Sequence, residues 1–264
     1  MNRPRPSRLA LTTAVASVAV AYLAVGPAQA ERSGRNGVVV SFNARVSPKV
    51  LPRNRLAPVT LSLTGSVLGA EGGTRPRLDR LELAFGARGG LDVAGLPTCP
   101  RSSLRNATRR QALARCRSAL VGRGSIVAEV PLAPDRPLRA RARALAFNAR
   151  KGGRRAIWVH AYSASPPVSF VLPFTVHVLR RGSGLQLEAP VGSTLGRWPR
   201  LRSFQITLGR RYRSHGQRHS YLSGSCPLPP RLHSLSVPVA HATYNFSPAP
   251  AIGMTIFRAC RVRD

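Results

Sequence analysis

The sequence predicts an all-β fold, an antiparallel β-sandwich or jelly-roll-like architecture with one short disulfide-stapled helix at about 103–119. Apolar and polar residues alternate with a period of two in many short runs, which is the pattern of half-buried strands. The runs are punctuated by 23 glycines and 23 prolines. No regular alternation of strands with amphipathic helices is present, which argues against a parallel-sheet enzyme fold.

The elements follow in order. Arg3, Arg5 and Arg8 precede an uncharged apolar run, Leu9 to Val25, and then Gly26-Pro27-Ala28-Gln29-Ala30. A basic start, an apolar core and an A-x-A site in that order form a Sec-type signal peptide, cleaved after Ala30. The competing reading is an uncleaved anchor, because the apolar run lies at the lower edge of a membrane-spanning length. Pro27, just before the small-residue site, favours cleavage. No later stretch is long and apolar enough to span, so no transmembrane segment is expected after signal cleavage.

Residues 31–37 are polar and are expected to form a flexible N-terminus, with 38–264 as a single β-sandwich domain or two packed halves. Strand alternation is clearest in Val59 to Thr64, Leu81 to Phe85, Ser125 to Val130, Phe204 to Leu208 and Gly253 to Phe257. Further strands are expected at Val38 to Val46, Arg141 to Phe147, Ala156 to Tyr162, Val168 to Leu179, Gly184 to Glu188 and Leu235 to Phe246. About eleven strands in all suit a sandwich or jelly roll. The helix is expected over Leu104 to Ala119, capped by Ser102 or Ser103, with Leu113, Cys116 and Leu120 on one face. Val121-Gly122-Arg123-Gly124 reads as the turn into the next strand.

Cys99, Cys116, Cys226 and Cys260 are even in number in a chain that carries an export signal, the setting in which disulfides persist. Four cysteines allow three connectivities. Cys99 with Cys116 and Cys226 with Cys260 is favoured, because each pair flanks a compact segment whose closure contributes roughly 3 to 4 kcal/mol in the chain-entropy model. A structural zinc site lacks the usual C-x-x-C pair.

Of the 41 basic residues only Lys49 and Lys151 are lysines, and the formal net charge is +32. The distribution is uneven: between Arg136 and Arg263 the one acidic residue is Glu188, and all six histidines lie in that half. Two readings of this charge compete. A guanidinium-rich face docks anionic polymers through bidentate contacts and counterion release. Alternatively, the near-absence of lysine reflects a genome rich in arginine codons.

The runs Leu51 to Pro58, Gly95 to Pro100, Cys116 to Gly124, Ala146 to Asn148 and Ser220 to Pro227 resemble a family of secreted proteins from high-GC Gram-positive bacteria to which no function is assigned. The resemblance covers most of the chain beyond the leader. It implies export, disulfides and β architecture, and it brings no catalytic residues.

Catalytic patterns are scarce. G-x-S-x-G does not occur, and Ser223-Gly224-Ser225 beside Cys226 reads as a disulfide-bearing turn. Acidic residues are too dispersed for a carboxylate pair. His215 and His219 have the spacing of two metal ligands on a helix, but Gly216 between them and flanking arginines read as a loop between strands. His160 and His177 sit in strand-like alternation as surface residues facing away from the core. No cofactor or metal is expected.

The best binding candidate is Arg197 to Tyr221, which gathers Arg197, Arg200, Arg202, Arg210, Arg211, Arg213 and Arg218 with Trp198, Tyr212 and Tyr221 and no acidic residue. Arginines supply phosphate or sulfate contacts and aromatics supply stacking or sugar-facing platforms. The bland alternative is an exposed hairpin whose aromatics pack inward. No helix-turn-helix, zinc-finger or RNP pattern supports sequence-specific readout of nucleic acid. The expectation is therefore a secreted or cell-envelope protein, without catalysis, that associates with anionic surface polymers through its arginine-rich half. The alternatives are a secreted hydrolase with a site assembled from distant residues, and a structural subunit of a surface assembly.

Overall fold

The computed structural model describes residues 30–69, 76–86, 89–130, 138–179, 184–195 and 199–263. Residues 1–29, which carry nearly all of the expected signal peptide, lie outside the described residues, as do Arg197 and Trp198. Eighteen strands are formed: β1 (Glu31–Arg35), β2 (Val38–Ser47), β3 (Val50–Pro52), β4 (Ala57–Pro58), β5 (Thr60–Gly69), β6 (Arg77–Phe85), β7 (Gly89–Leu91), β8 (Leu120–Val130), β9 (Leu138–Lys151), β10 (Arg154–Ala164), β11 (Pro167–Val178), β12 (Leu185–Pro190), β13 (Arg200–Leu208), β14 (Arg211–Ser214), β15 (Gln217–Ser220), β16 (Leu222–Gly224), β17 (Ser234–Ser247) and β18 (Ile252–Arg263). Two short helices are α1 (Arg109–Cys116) and α2 (Val191–Leu195).

Thirteen strands share one sheet in the order β1-β2-β5-β13-β8-β9-β10-β11-β12-β6-β17-β18-β3. Every pairing in it is antiparallel except β18 with β3. The sheet curls until its two ends meet. Tyr244 on β17 reaches across the interior and its hydroxyl donates to the Ser41 carbonyl on β2 at 3.0 Å. Gly65 on β5 permits that approach, because a Cβ there would lie 2.5 Å from the Phe204 ring and 2.7 Å from the Tyr244 hydroxyl. The result is an all-β sandwich built from one folded-over sheet.

Alternation along each strand supplies the core. Phe42, Leu63, Leu81, Ile126, Ile157 and Ile256 point inward while their neighbours point out. An internal void of about 30 Å³ remains between the layers, lined by apolar side chains including Leu83, Val159, Leu172 and Phe174. A void of that size without polar partners stays dry.

Hairpin turns fix the register. Asn36-Gly37, Gly152-Gly153 and His215-Gly216 each connect paired strands with two residues at positive φ, the geometry that matches the twist of a two-residue hairpin. The first of these corrects an expectation. Residues 31–35 are strand β1, paired with β2, and not a flexible arm, because Asn36-Gly37 folds that polar segment back onto Val38–Phe42.

A second apolar cluster lies on the outer face of β9 and β10, where Leu145, Phe147, Ala156 and Trp158 are covered by α1 and the loop before it. Cys99 and Cys116 are bonded across this cover, with a Cα separation of 5.5 Å. The Trp158 indole N–H donates to the Cys99 carbonyl at 3.0 Å. The helix begins later than Ser103: only one 3₁₀ turn forms at Arg101–Ser103, Asn106 adopts a positive φ of 54°, and Thr108 caps α1. The Thr108 amide donates to Gln111 Oε1 at 2.8 Å and the Gln111 amide donates back to Thr108 Oγ1, a capping box.

Two further expectations are corrected. Val121 to Gly124 lies inside β8, not in a turn. His160 is fully buried beneath the α1 cover, because its face of β10 is roofed and does not meet solvent. Below the sandwich, the small sheet β4-β16-β7 and the Cys226–Cys260 disulfide pack around Leu51 and Leu228. Ser223 and Gly224 accordingly sit in a strand, leaving only Ser225 in the connection to Cys226. Among the described residues, no helix is long and apolar enough to cross a membrane.

Candidate polyanion-binding surface

The described side chains of the run Arg197 to Tyr221 are not presented together. Its described residues form β13, then the β14–β15 hairpin, and the pleat sends alternate side chains to opposite faces. Arg211, Arg213 and Arg218 are exposed on one face of the hairpin, with Arg213 directly opposite Arg218. Tyr212 and His219, also opposite each other, face the body of the protein with rings stacked at 5.3 Å between centroids. Tyr221 is 1% exposed, so it belongs to the core and offers no stacking platform.

The inward face of the hairpin is anchored through Asp92. His219 Nδ1 lies 2.8 Å from Asp92 Oδ2, and the Ala94 amide donates to Asp92 Oδ1 at 2.8 Å. The Tyr212 hydroxyl donates to the Asp92 carbonyl at 3.3 Å. The Ala94 amide and then His219 hold the Asp92 carboxyl below its ordinary range, while burial pushes the Tyr212 phenol up. An imidazole oriented by a carboxylate is one half of a catalytic arrangement. Among the described residues no serine, threonine or cysteine is hydrogen-bonded to His219 Nε2.

Two arginines of the run are used within the fold. Arg210 donates to the Ser118 carbonyl and, at 3.0 Å, to the Leu120 carbonyl, tying β14 to the end of the α1 region. Arg202 on β13 and Arg139 on β9 both bond Glu129, whose side chain is only 5% exposed. Arg200 also has a partner. Each of these groups has a partner within the protein.

The outer face of β5, β13, β8 and β9 holds what the sequence run did not reveal. Arg123 on β8 and Arg143 on β9 are exposed, and with Arg109 from α1 they border a depression of about 380 Å³ floored by Ser125, Gln205 and Thr207. A second depression of about 260 Å³ adjoins it, lined by Thr64, Ser66, Ser203 and the same Ser125 and Gln205. Arg123 stands opposite Leu145 and Arg143 opposite Ser125, which makes the two arginines diagonal neighbours about 7 Å apart at Cβ. Arg109, Arg123 and Arg143 form no ion pair among the described residues. The sequence signal was present in Arg139-Ala-Arg-Ala-Arg143, an alternation that sends every arginine of the run to one face.

Among the described residues, no group of histidine, cysteine, aspartate or glutamate side chains is arranged to hold a metal ion. No protein family, curated protein or solved structure matches the chain.

Proposed function

We propose that the protein is exported and works without catalysis at or outside the cell envelope, where its exposed arginines associate with anionic surface polymers. The observation that carries this reading is the sorting of the arginines. Some bond Glu129 or backbone carbonyls, whereas Arg123, Arg143, Arg211, Arg213 and Arg218 face solvent and form no ion pair among the described residues. Unpaired guanidiniums at a surface attract polyanions and release their counterions, whatever the origin of the arginine excess. Two disulfides and a signal-like leader suit an oxidising compartment.

Retention on immobilised heparin tests the reading. The protein is expected to bind at low salt and to elute as salt rises, and replacing those five arginines by Ser should bring elution to clearly lower salt. Absence of binding at low salt, or retention insensitive to salt, would defeat the proposal. Unchanged elution of the five-fold variant would reduce it to diffuse charge.

A further inference from the structure

The two depressions on the outer face share a regular pattern that points to a class of polymer. Thr64, Gln205, Ser125, Arg143 and Tyr162 are consecutive register partners on β5, β13, β8, β9 and β10, so they form a straight polar row across the strands. Its rungs are about 4.8 Å apart and the row spans about 19 Å. Beside it, Ser62, Thr207 and Arg123 form a second row with the same order of hydroxyls leading to an arginine. Within that row Ser62 Oγ and Thr207 Oγ1 are 3.1 Å apart, which holds the hydroxyls in place.

We infer that this face binds an acidic polysaccharide laid across the strands, a refinement that rests on the polyanion-binding reading above. Hydroxyl and amide groups both donate and accept, as sugar hydroxyls do, whereas guanidinium only donates and matches a carboxylate or sulfate. A surface combining the two in repeated rows suits a polymer that combines the same two kinds of group. The rung spacing is close to the advance of one pyranose unit along an extended glycan. Arg109, Arg123 and Arg143 converge on the larger of the two depressions from a helix and two strands, which places the anionic group there.

Competing polymers fit less well. Single-stranded nucleic acid is held by successive aromatic platforms, and the long row offers one aromatic, the half-buried Tyr162 at its end. A lipid surface would need apolar side chains to insert, and none of the exposed large apolar side chains lies in these rows.

Titration of labelled alginate oligosaccharides, with inorganic polyphosphate of matched charge for comparison, tests the assignment. Arg123→Ser with Arg143→Ser is expected to weaken alginate binding by about tenfold or more. Gln205→Ala should weaken it by about fivefold without affecting polyphosphate. The triple change Arg211→Ser, Arg213→Ser and Arg218→Ser should alter alginate binding less than the groove pair does. All these positions are exposed, and an unchanged unfolding midpoint verifies that each variant folds. If the hairpin triple abolishes binding and the groove pair does not, the groove assignment is wrong while the general reading stands. If polyphosphate or single-stranded DNA binds as tightly as alginate, the saccharide assignment is wrong. If no polymer binds at low salt, both proposals fall.

Discussion

Acidifying the solution below pH 6.5 is expected to destabilise this fold through His160. The side chain is 0% exposed on β10, with Nε2 at 2.8 Å from the Ala107 carbonyl and 3.2 Å from Ser169 Oγ. Donation to the carbonyl puts the proton on Nε2, and Nδ1 then faces the interior with no hydrogen-bond partner. Burial lowers the pKa of His160 from the ordinary value of 6.5, because a second proton would create an unpaired buried cation; the bond to Ala107 opposes this only in part. In the unfolded chain the same imidazole titrates near 6.5. Below that pH the unfolded state binds a proton that the folded state refuses. Stability is therefore full above pH 6.5 and falls as pH drops, by up to about 1.4 kcal/mol per unit, until the folded-state pKa is reached. Between pH 7.5 and 5.5 the folded protein is therefore expected to lose stability through this residue. Urea unfolding of the wild type and of His160→Gln at both pH values measures it, since Gln keeps a donor for Ala107 and does not titrate. The variant should be less stable at pH 7.5 yet lose less on acidification. Equal losses in the two proteins would refute the argument.

Removing the Cys99–Cys116 bond, with a separation of 17 residues, is expected to cost about 3 kcal/mol in the chain-entropy model, read from denaturant midpoints of Cys99→Ala with Cys116→Ala. Tyr244→Phe should cost about 1 kcal/mol, because the Ser41 carbonyl loses its donor across the curled sheet; no change would mean that the bond contributes nothing to closure. Gly95→Ala should destabilise by about 1 to 3 kcal/mol and loosen the β14–β15 hairpin in hydrogen exchange. Gly95 has a φ of 66°, and a Cβ there would lie 1.8 Å from Ser214 Oγ.

The core strands were legible because each is half-buried and alternates, as in Leu61-Ser62-Leu63-Thr64. β1 was not, since Glu31-Arg-Ser-Gly-Arg35 has no apolar stripe, although Asn36-Gly37 carried a hairpin signal. The start of α1 was written in Thr108-x-x-Gln111 rather than in the earlier serines. His160 looked like an ordinary pleat residue, and only the packing of the Ala107 loop over β10 buries it. The described side chains of the run Arg197 to Tyr221 divide between faces for a simple reason: nearness in sequence along a strand puts neighbours on opposite faces. Thr64, Ser125, Arg143 and Gln205 come together solely through strand order and register, which no single segment encodes.

Polymer is expected to meet particular arginines rather than a diffuse cationic surface. Arginine-selective modification by phenylglyoxal, quantified by mass spectrometry with and without heparin, tests it most directly. Salt-reversible protection concentrated at Arg123, Arg143, Arg211, Arg213 and Arg218 is predicted, with the exposed Arg32 and Arg35 of β1 reacting as before. Protection spread evenly over all exposed arginines, or none at any of them, would contradict the claim.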